Sequence, residues 1–249
     1  MIILGIDFET TGLNIPTIGV TEVGMVLWDT DLAAPIRMVG MLVNPRYDAV
    51  WEPGVEKVNN LTPAICEKHG SDDEKTCKQV LSWYGSADVL CAHNGNNFDK
   101  PLLDTWATRY GLATQKDKLW IDTRADIDRP PRDSHRLGYM AADHGFLNPF
   151  PHRAMFDVMT MFTILMAKDI AKAPPKYDLA TIQEIAKSPL RIVKAIVSFD
   201  QKELAKTRGY HPFYQDGKFI RWELEVKEIN LDKEREAARL SGFEIEVIR

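Results

Sequence analysis

The sequence predicts an α/β protein: a five-stranded sheet flanked by helices, followed by a smaller α+β module. Three observations predict it. Three strand-type stretches crowd into the first 43 residues, and two shorter ones follow, interleaved with helical patterns. Pro174-Pro175 then stops a long helix, and beyond it the pattern changes to short helix, strand, helix, two short strands, helix and strand.

Taken in order, residues 2–9 are rich in Ile and Leu and alternate as a buried strand does. Ile18 to Trp28 and Ile36 to Val43 form two more, separated by the turn-prone Asp29-Thr30-Asp31, with spacing short enough for an antiparallel meander. Asn44 to Gly70 is irregular, with short helical candidates around Val55 and Pro63. A helix is expected over Asp72 to Tyr84, capped by Ser71 or Asp72. Asp88 to Ala92 is the fourth strand. The polar loop His93-Asn94-Gly95-Asn96-Asn97 leads into a helix from Phe98 to Tyr110, with Asn97 as its cap, and Leu119 to Asp122 is the fifth strand. Ser134 to His144 and Arg153 to Lys168 complete the helices. In the last of these, Met155, Met159, Phe162 and Met166 fall at helical spacing and are expected to fill the core. Residues 1–170 therefore form one domain, 171–176 a linker and 177–249 a small module.

At 249 residues, 45% hydrophobic and 27% charged, the chain holds enough apolar material for a sizeable core. Cys66, Cys77 and Cys91 are odd in number and show no CxxC spacing, which points to reduced thiols rather than a disulfide frame or a zinc site. No targeting signal opens the sequence, and the apolar run Val158 to Ala167 falls short of the roughly 20 residues a bilayer span needs. A soluble, cytoplasmic protein with no membrane partner is expected. The net charge of -5 argues against a protein that coats nucleic acid by electrostatics alone. Residues 171–249 hold 15 Lys+Arg against 13 Asp+Glu, so the acid excess lies in residues 1–170.

Asp7-Phe8-Glu9 is the first chemical signal. Residues i and i+2 of a strand share a face, so the two carboxylates project together and Phe8 points away. Paired acids at the end of an apolar strand are costly unless a cation lies between them, and hard divalent cations favour carboxylate oxygen. Acidic strand ends are also common at surfaces. Asp99 falls in the first turn of a helix, where an acid also complements the helix dipole. His152 and Asp157, five positions apart, would sit about 140° apart on one helix. They converge more easily if His152 lies in the loop before it, which Pro149 and Pro151 favour.

Together, Asp7-Phe8-Glu9-Thr10-Thr11-Gly12, His93-Asn94-Gly95-Asn96-Asn97-Phe98-Asp99 and His152-Arg153-Ala154-Met155-Phe156-Asp157 resemble the three motifs of the DnaQ-like (DEDDh) exonucleases, over roughly residues 1–170. That resemblance implies an RNase H-like fold with a mixed five-stranded sheet. It also implies two Mg²⁺ or Mn²⁺ ions held by Asp7, Glu9, Asp99 and Asp157, with His152 as general base in phosphodiester hydrolysis. The implied substrate is a nucleic acid with a free 3′ end, single-stranded DNA before RNA, and a polymerase or repair partner is conceivable. Thr10 and Leu13 resemble positions that contact the terminal nucleotide, His93 and Asn94 the site entrance, and Phe98 a residue near the terminal bases, although a core role suits Phe98 about as well. Glu22 has a counterpart too, although a salt bridge or solvent exposure explains it as well. An exoribonuclease and a catalytically inactive binding module are the alternatives.

The C-terminal segment loosely resembles a small accessory module of such exonucleases. Between Lys187 and Arg208 lie six basic and two acidic residues, with Tyr210, Phe213, Tyr214 and Trp222 close behind. Interleaved cations and aromatics suit single-stranded nucleic acid. An ordinary aromatic core accounts for the same residues.

Overall fold

In the computed structural model, which describes residues 1–127, 134–166 and 178–249, β1 (Ile2–Thr10) runs antiparallel to β2 (Val20–Asp29), and β2 to β3 (Ala34–Asn44). Two short helices follow, α1 (Glu56–Asn59) and α2 (Pro63–His69), then β4 (Ser71–Asp72) and α3 (Asp73–Ser86), whose first turn is capped by the Asp72 side chain. Next come β5 (Val89–Ala92), α4 (Asp99–Arg109), β6 (Trp120–Asp122), α5 (Leu137–Asp143) and α6 (Ala154–Met166). The strand order is β4-β3-β2-β1-β5-β6, with β5 and β6 parallel to β1. The sheet is thus the mixed one expected, and the two-residue β4 adds a sixth strand at its edge.

Leu4, Ile6 and Phe8 point to one face of β1 and pack with Cys77, Val80, Trp83, Leu102, Leu103 and Trp106 of α3 and α4. Phe8 meets Trp106 edge-on, with ring centroids 5.9 Å apart. The buried Asp73 ties the two helices, accepting from Trp106 Nε1 at 3.1 Å and from the Tyr110 hydroxyl at 2.5 Å. The opposite face, which carries Gly5, Asp7 and Glu9, receives α6.

Three sequence expectations change. The buried residues of α6 are Ala154, Val158, Thr160, Met161, Phe162, Ile164 and Leu165, so of the expected stripe Phe162 fills the core, while Met155, Met159 and Met166 are only half-buried. The three methionines each lie one residue, about 100°, beyond a buried position, Ala154, Val158 and Leu165. Asn97 does not cap α4: the cap position is Phe98, and the Asn97 amide donates to Asn94 Oδ1 at 3.2 Å. The helix expected from Ser134 opens at Leu137, because Arg136 is extended and the His135 ring bonds the Arg124 carbonyl.

The expected linker, 171–176, lies outside the described residues, as does the end of the helix expected to reach Lys168. The described chain divides into two compact units, one of Met1–Ile127 with His135–Ile182, the other built chiefly from Gln183–Arg249. After α7 (Leu179–Lys187) come β7 (Leu190–Ile196), α8 (Lys202–Thr207), β8 (His211–Gln215), β9 (Lys218–Lys227), α9 (Leu231–Leu240) and β10 (Glu244–Val247). The four strands pair antiparallel in the order β10-β7-β9-β8. Val193, Ala195, Ala205, Tyr210, Val226, Ala238 and Phe243 form this unit's own core. Its basic residues are largely matched: Lys187, Arg191, Lys194, Lys206 and Arg208 each meet a carboxylate. No helix among the described residues is long and apolar enough to cross a membrane.

Candidate active site

The parallel strands β1, β5 and β6 end on the same side of the sheet, and a cleft of about 940 Å³ opens there. Clefts at the carboxyl ends of parallel strands are the usual ligand sites of such sheets. Asp7 and Glu9 line it from the end of β1, on the face that α6 covers. Asp157 reaches it from the first turn of α6, and His152 from the preceding loop. Ligating atoms of Glu9, His152 and Asp157 all lie within 4.8 Å of one another.

Glycine sets how closely α6 approaches. Gly24 pairs with Asp7 across β1 and β2, and a Cβ there would stand 2.3 Å from the Ala154 carbonyl carbon. A Cβ on Gly5 would meet the Phe162 ring, itself stacked on Trp28 at 5.0 Å. The helix therefore rests directly on the backbone of the sheet, which places Asp157 beside Glu9. Glu22, opposite Glu9 in the β1–β2 register, is buried and grips Arg153 through two bonds of 2.9 Å, fixing the start of α6. Its salt-bridge reading holds.

His152 has φ of 61°, a left-handed backbone rare outside glycine. Its N–H donates to Asp157 Oδ2 at 3.0 Å, and Asn148 Nδ2 donates to Asp157 Oδ1 at 2.6 Å. The loop position expected for His152 is the one it occupies.

Asp99 is buried at the start of α4, and its Oδ1 has no hydrogen-bond partner. The preceding loop is organised by Asp122, whose two oxygens accept from the N–H groups of Asn94 and Asn96 at 2.8 and 3.1 Å. Asn94 is left-handed, with φ of 66°. His93 bonds Thr123 Oγ1 at 2.9 Å, and burial lowers its imidazole to about 4, so it is neutral at pH 7.

Burial and mutual repulsion drive the acids the other way. Glu9 rises to about 8 through burial, then Asp157 and Glu22. Asp157 rises to about 6 through burial, against the opposing pull of His152 and Asn148. Asp7 is pushed well above the carboxylate range by burial, Asp99 and Glu9, and Asp99 is pushed up by burial and Asp122. Crowded acids held above their usual range, with one buried oxygen unpartnered and Arg153 committed to Glu22, fit a divalent cation bound by hard oxygen donors.

Of the remaining expected residues, Thr10, Leu13, His93 and Phe98 line the cleft; Asn94 is not among its lining residues. Leu13 is 76% exposed at the rim. Thr10 is buried, its hydroxyl donating to the Gly12 carbonyl at 2.6 Å. The sequence reading passed over Asn148, Asn59, Glu52 and Asp122. Asn59 is buried and donates to the Thr10 carbonyl at 3.3 Å, and Glu52 accepts from the Asn14 N–H at 2.9 Å. An Asn followed by proline at 148–149 marked a turn, but nothing marked its partner.

A family model described as exonuclease matches residues 4–165. The PolC-type DNA polymerase III of Ureaplasma parvum serovar 3 is 29% identical over 160 residues, covering 62% of this chain and 10% of that polymerase. Exonuclease I of E. coli in complex with a dT13 oligonucleotide superposes with a TM-score of 0.61 at 16% identity, covering 83% of this chain and 50% of that one. The nuclease domain of 3'hExo, a DEDDh family member, bound to rAMP, gives 0.55 at 19%, covering 66% and 90%. At these identities the structural likeness shows the fold. This chain spans about half the length of the exonuclease I chain and a tenth of the polymerase.

Proposed function

The chain belongs to the exonuclease family, the DnaQ-like group that includes RNase T, and from that premise we propose that it is a metal-dependent 3′→5′ exonuclease. It releases nucleoside 5′-monophosphates from DNA, with single-stranded 3′ ends preferred. The observation that carries this reading is the convergence of Asp7, Glu9, Asp157 and His152 on one cleft; the buried Asp99, which is not among the lining residues, adds to the repulsion that raises Asp7.

Asp7, Glu9, Asp99 and Asp157 are the residues that would hold two Mg²⁺ or Mn²⁺ ions. When bound, such a pair supplies charge stabilisation for an in-line displacement at phosphorus and acidifies a water. His152, on its loop at the mouth of the cleft, takes the proton from the attacking water. Leu13 wedges an apolar side chain against the terminal nucleotide, Phe98 lies near the terminal bases, and Thr10 meets that nucleotide through its backbone. His93 stands at the entrance as a neutral imidazole, which places no positive charge there, and Asn94 shapes the loop that carries it. Residues 1–170 are assigned to the exonuclease domain, 171–176 to a linker and 177–249 to an accessory module. The match to one segment of a polymerase supports work beside a polymerase or in repair.

A second reading keeps the chemistry on RNA, supported by the likeness to a nuclease domain bound to rAMP. End-labelled single-stranded DNA, duplex DNA and RNA, each incubated with Mg²⁺, Mn²⁺ or EDTA, separate the two. Shortening of single-stranded DNA from its 3′ end in Mg²⁺ or Mn²⁺ is expected, and none in EDTA or with Asp7→Ala. Digestion of RNA alone would shift the substrate. Failure to degrade any of the three, with Asp7→Ala indistinguishable, would leave a nuclease-fold binding module.

A further inference from the structure

Asn148 belongs to none of the three motifs, yet its side chain spans two parts of the site. Its Oδ1 accepts the Phe150 N–H at 2.9 Å, and an N–H can only face an oxygen, so the amide's orientation is fixed. Its Nδ2 is thereby directed at Asp157 Oδ1, 2.6 Å away. The other carboxylate oxygen, Oδ2, accepts the His152 N–H. Both Asp157 oxygens are thus held by donors from the segment 148–152.

That segment is anchored a second time. The Phe150 ring packs on Phe156 at 4.7 Å between centroids, one residue before Asp157 in α6. Loop and helix are joined through both an apolar pair and a polar clamp, and the amide of Asn148 sits at the junction, lining the cleft.

We propose that Asn148 is a positioning residue: it sets the rotation of the Asp157 carboxylate for metal binding and, through Phe150, holds the loop that carries His152. Partners that orient metal ligands in this way typically contribute 10–100-fold to metal affinity. The proposal rests on the metal-dependent reading given above.

Calorimetric titration of Mn²⁺ into the full chain tests it, alongside melting curves in EDTA and steady-state kinetics on an oligonucleotide. Asn148→Ala is expected to weaken Mn²⁺ binding about tenfold or more and to lower kcat, with KM for the oligonucleotide changed by less than about twofold. A purely structural role would lower the melting temperature and leave Mn²⁺ affinity per folded molecule as in wild type. If Asn148→Ala does not fold, Asn148→Ser, a residue at home in turns, is measured by the same criterion. Wild-type Mn²⁺ affinity in a folded variant overturns the proposal alone. A wild-type chain that takes up no Mn²⁺ overturns the metal reading and this proposal with it.

Discussion

A buried carboxylate oxygen without a donor destabilises the fold unless a cation reaches it, and Asp99 Oδ1 is such an atom. Asp99→Asn removes a charge from the cluster while keeping its shape. In EDTA at pH 8 the variant is expected to melt higher than wild type, while Mn²⁺ ceases to stabilise it and activity falls at least a hundredfold. The same repulsion makes the metal-free wild type sensitive to pH. Glu9 sits near 8 in the folded chain against 4.5 ordinarily, so between those values the folded state binds more protons than the unfolded state. Stability from Glu9 is therefore fully present below about 4.5 and lost as pH rises through about 8. Melting in EDTA is expected to be several degrees lower at pH 8 than at pH 5.5, with saturating Mn²⁺ removing much of the difference. A flat profile in EDTA would contradict the crowding. Asp7 and Glu9 were legible because a strand's period of two places them together whatever follows. Asn148 was not, since a loop has no period and its partner lies nine residues away in a helix.

At the scale of elements, strands and helices were legible to within a few residues because their apolar periods differ. How α6 seats itself on the sheet was not. Glycine inside a strand reads as a weak spot, whereas at Gly24 it marks where a helix backbone touches. Gly24→Ala is expected to cost about 2 kcal/mol through overpacking, lowering the melting temperature by roughly 4–8 °C. Because Ala154 begins the helix that carries Asp157, Mn²⁺ affinity should fall as well. Gly5→Ala strikes side chains rather than helix backbone, the Phe162 ring and Val158 beside Asp157, and is expected to cost stability with a smaller loss of Mn²⁺ affinity than Gly24→Ala. Equal losses of affinity in both would argue against a local effect. The expected stripe on α6 was met at Phe162 but not at its three methionines, for a related reason: spacing on a helix identifies a stripe, but which neighbouring positions turn inward is decided by the surface the helix meets.

At the scale of the whole molecule, the C-terminal unit shows that counting charge along a sequence overstates what a surface offers. Its basic residues were countable in the sequence, but their partners were not, because they come from other strands and helices: Arg208 meets Glu234, and Lys194 meets Glu246. Lys202, by contrast, stacks over the exposed Phe199 ring at 3.9 Å. Because a cation paired with a carboxylate contributes little to phosphate contacts, Lys194→Ala with Lys206→Ala should change oligonucleotide affinity by less than about twofold in fluorescence anisotropy. A tenfold loss would restore the grip on nucleic acid that the composition suggests. Gly24 bears differently on the chain as a whole. Every missense change open to a glycine codon adds a side chain, and here each one would push on the same helix. In a library covering all 249 positions, this codon would be purged as thoroughly as that of Asp7. A map of tolerated substitutions would thus colour as catalytic a residue that never touches the substrate.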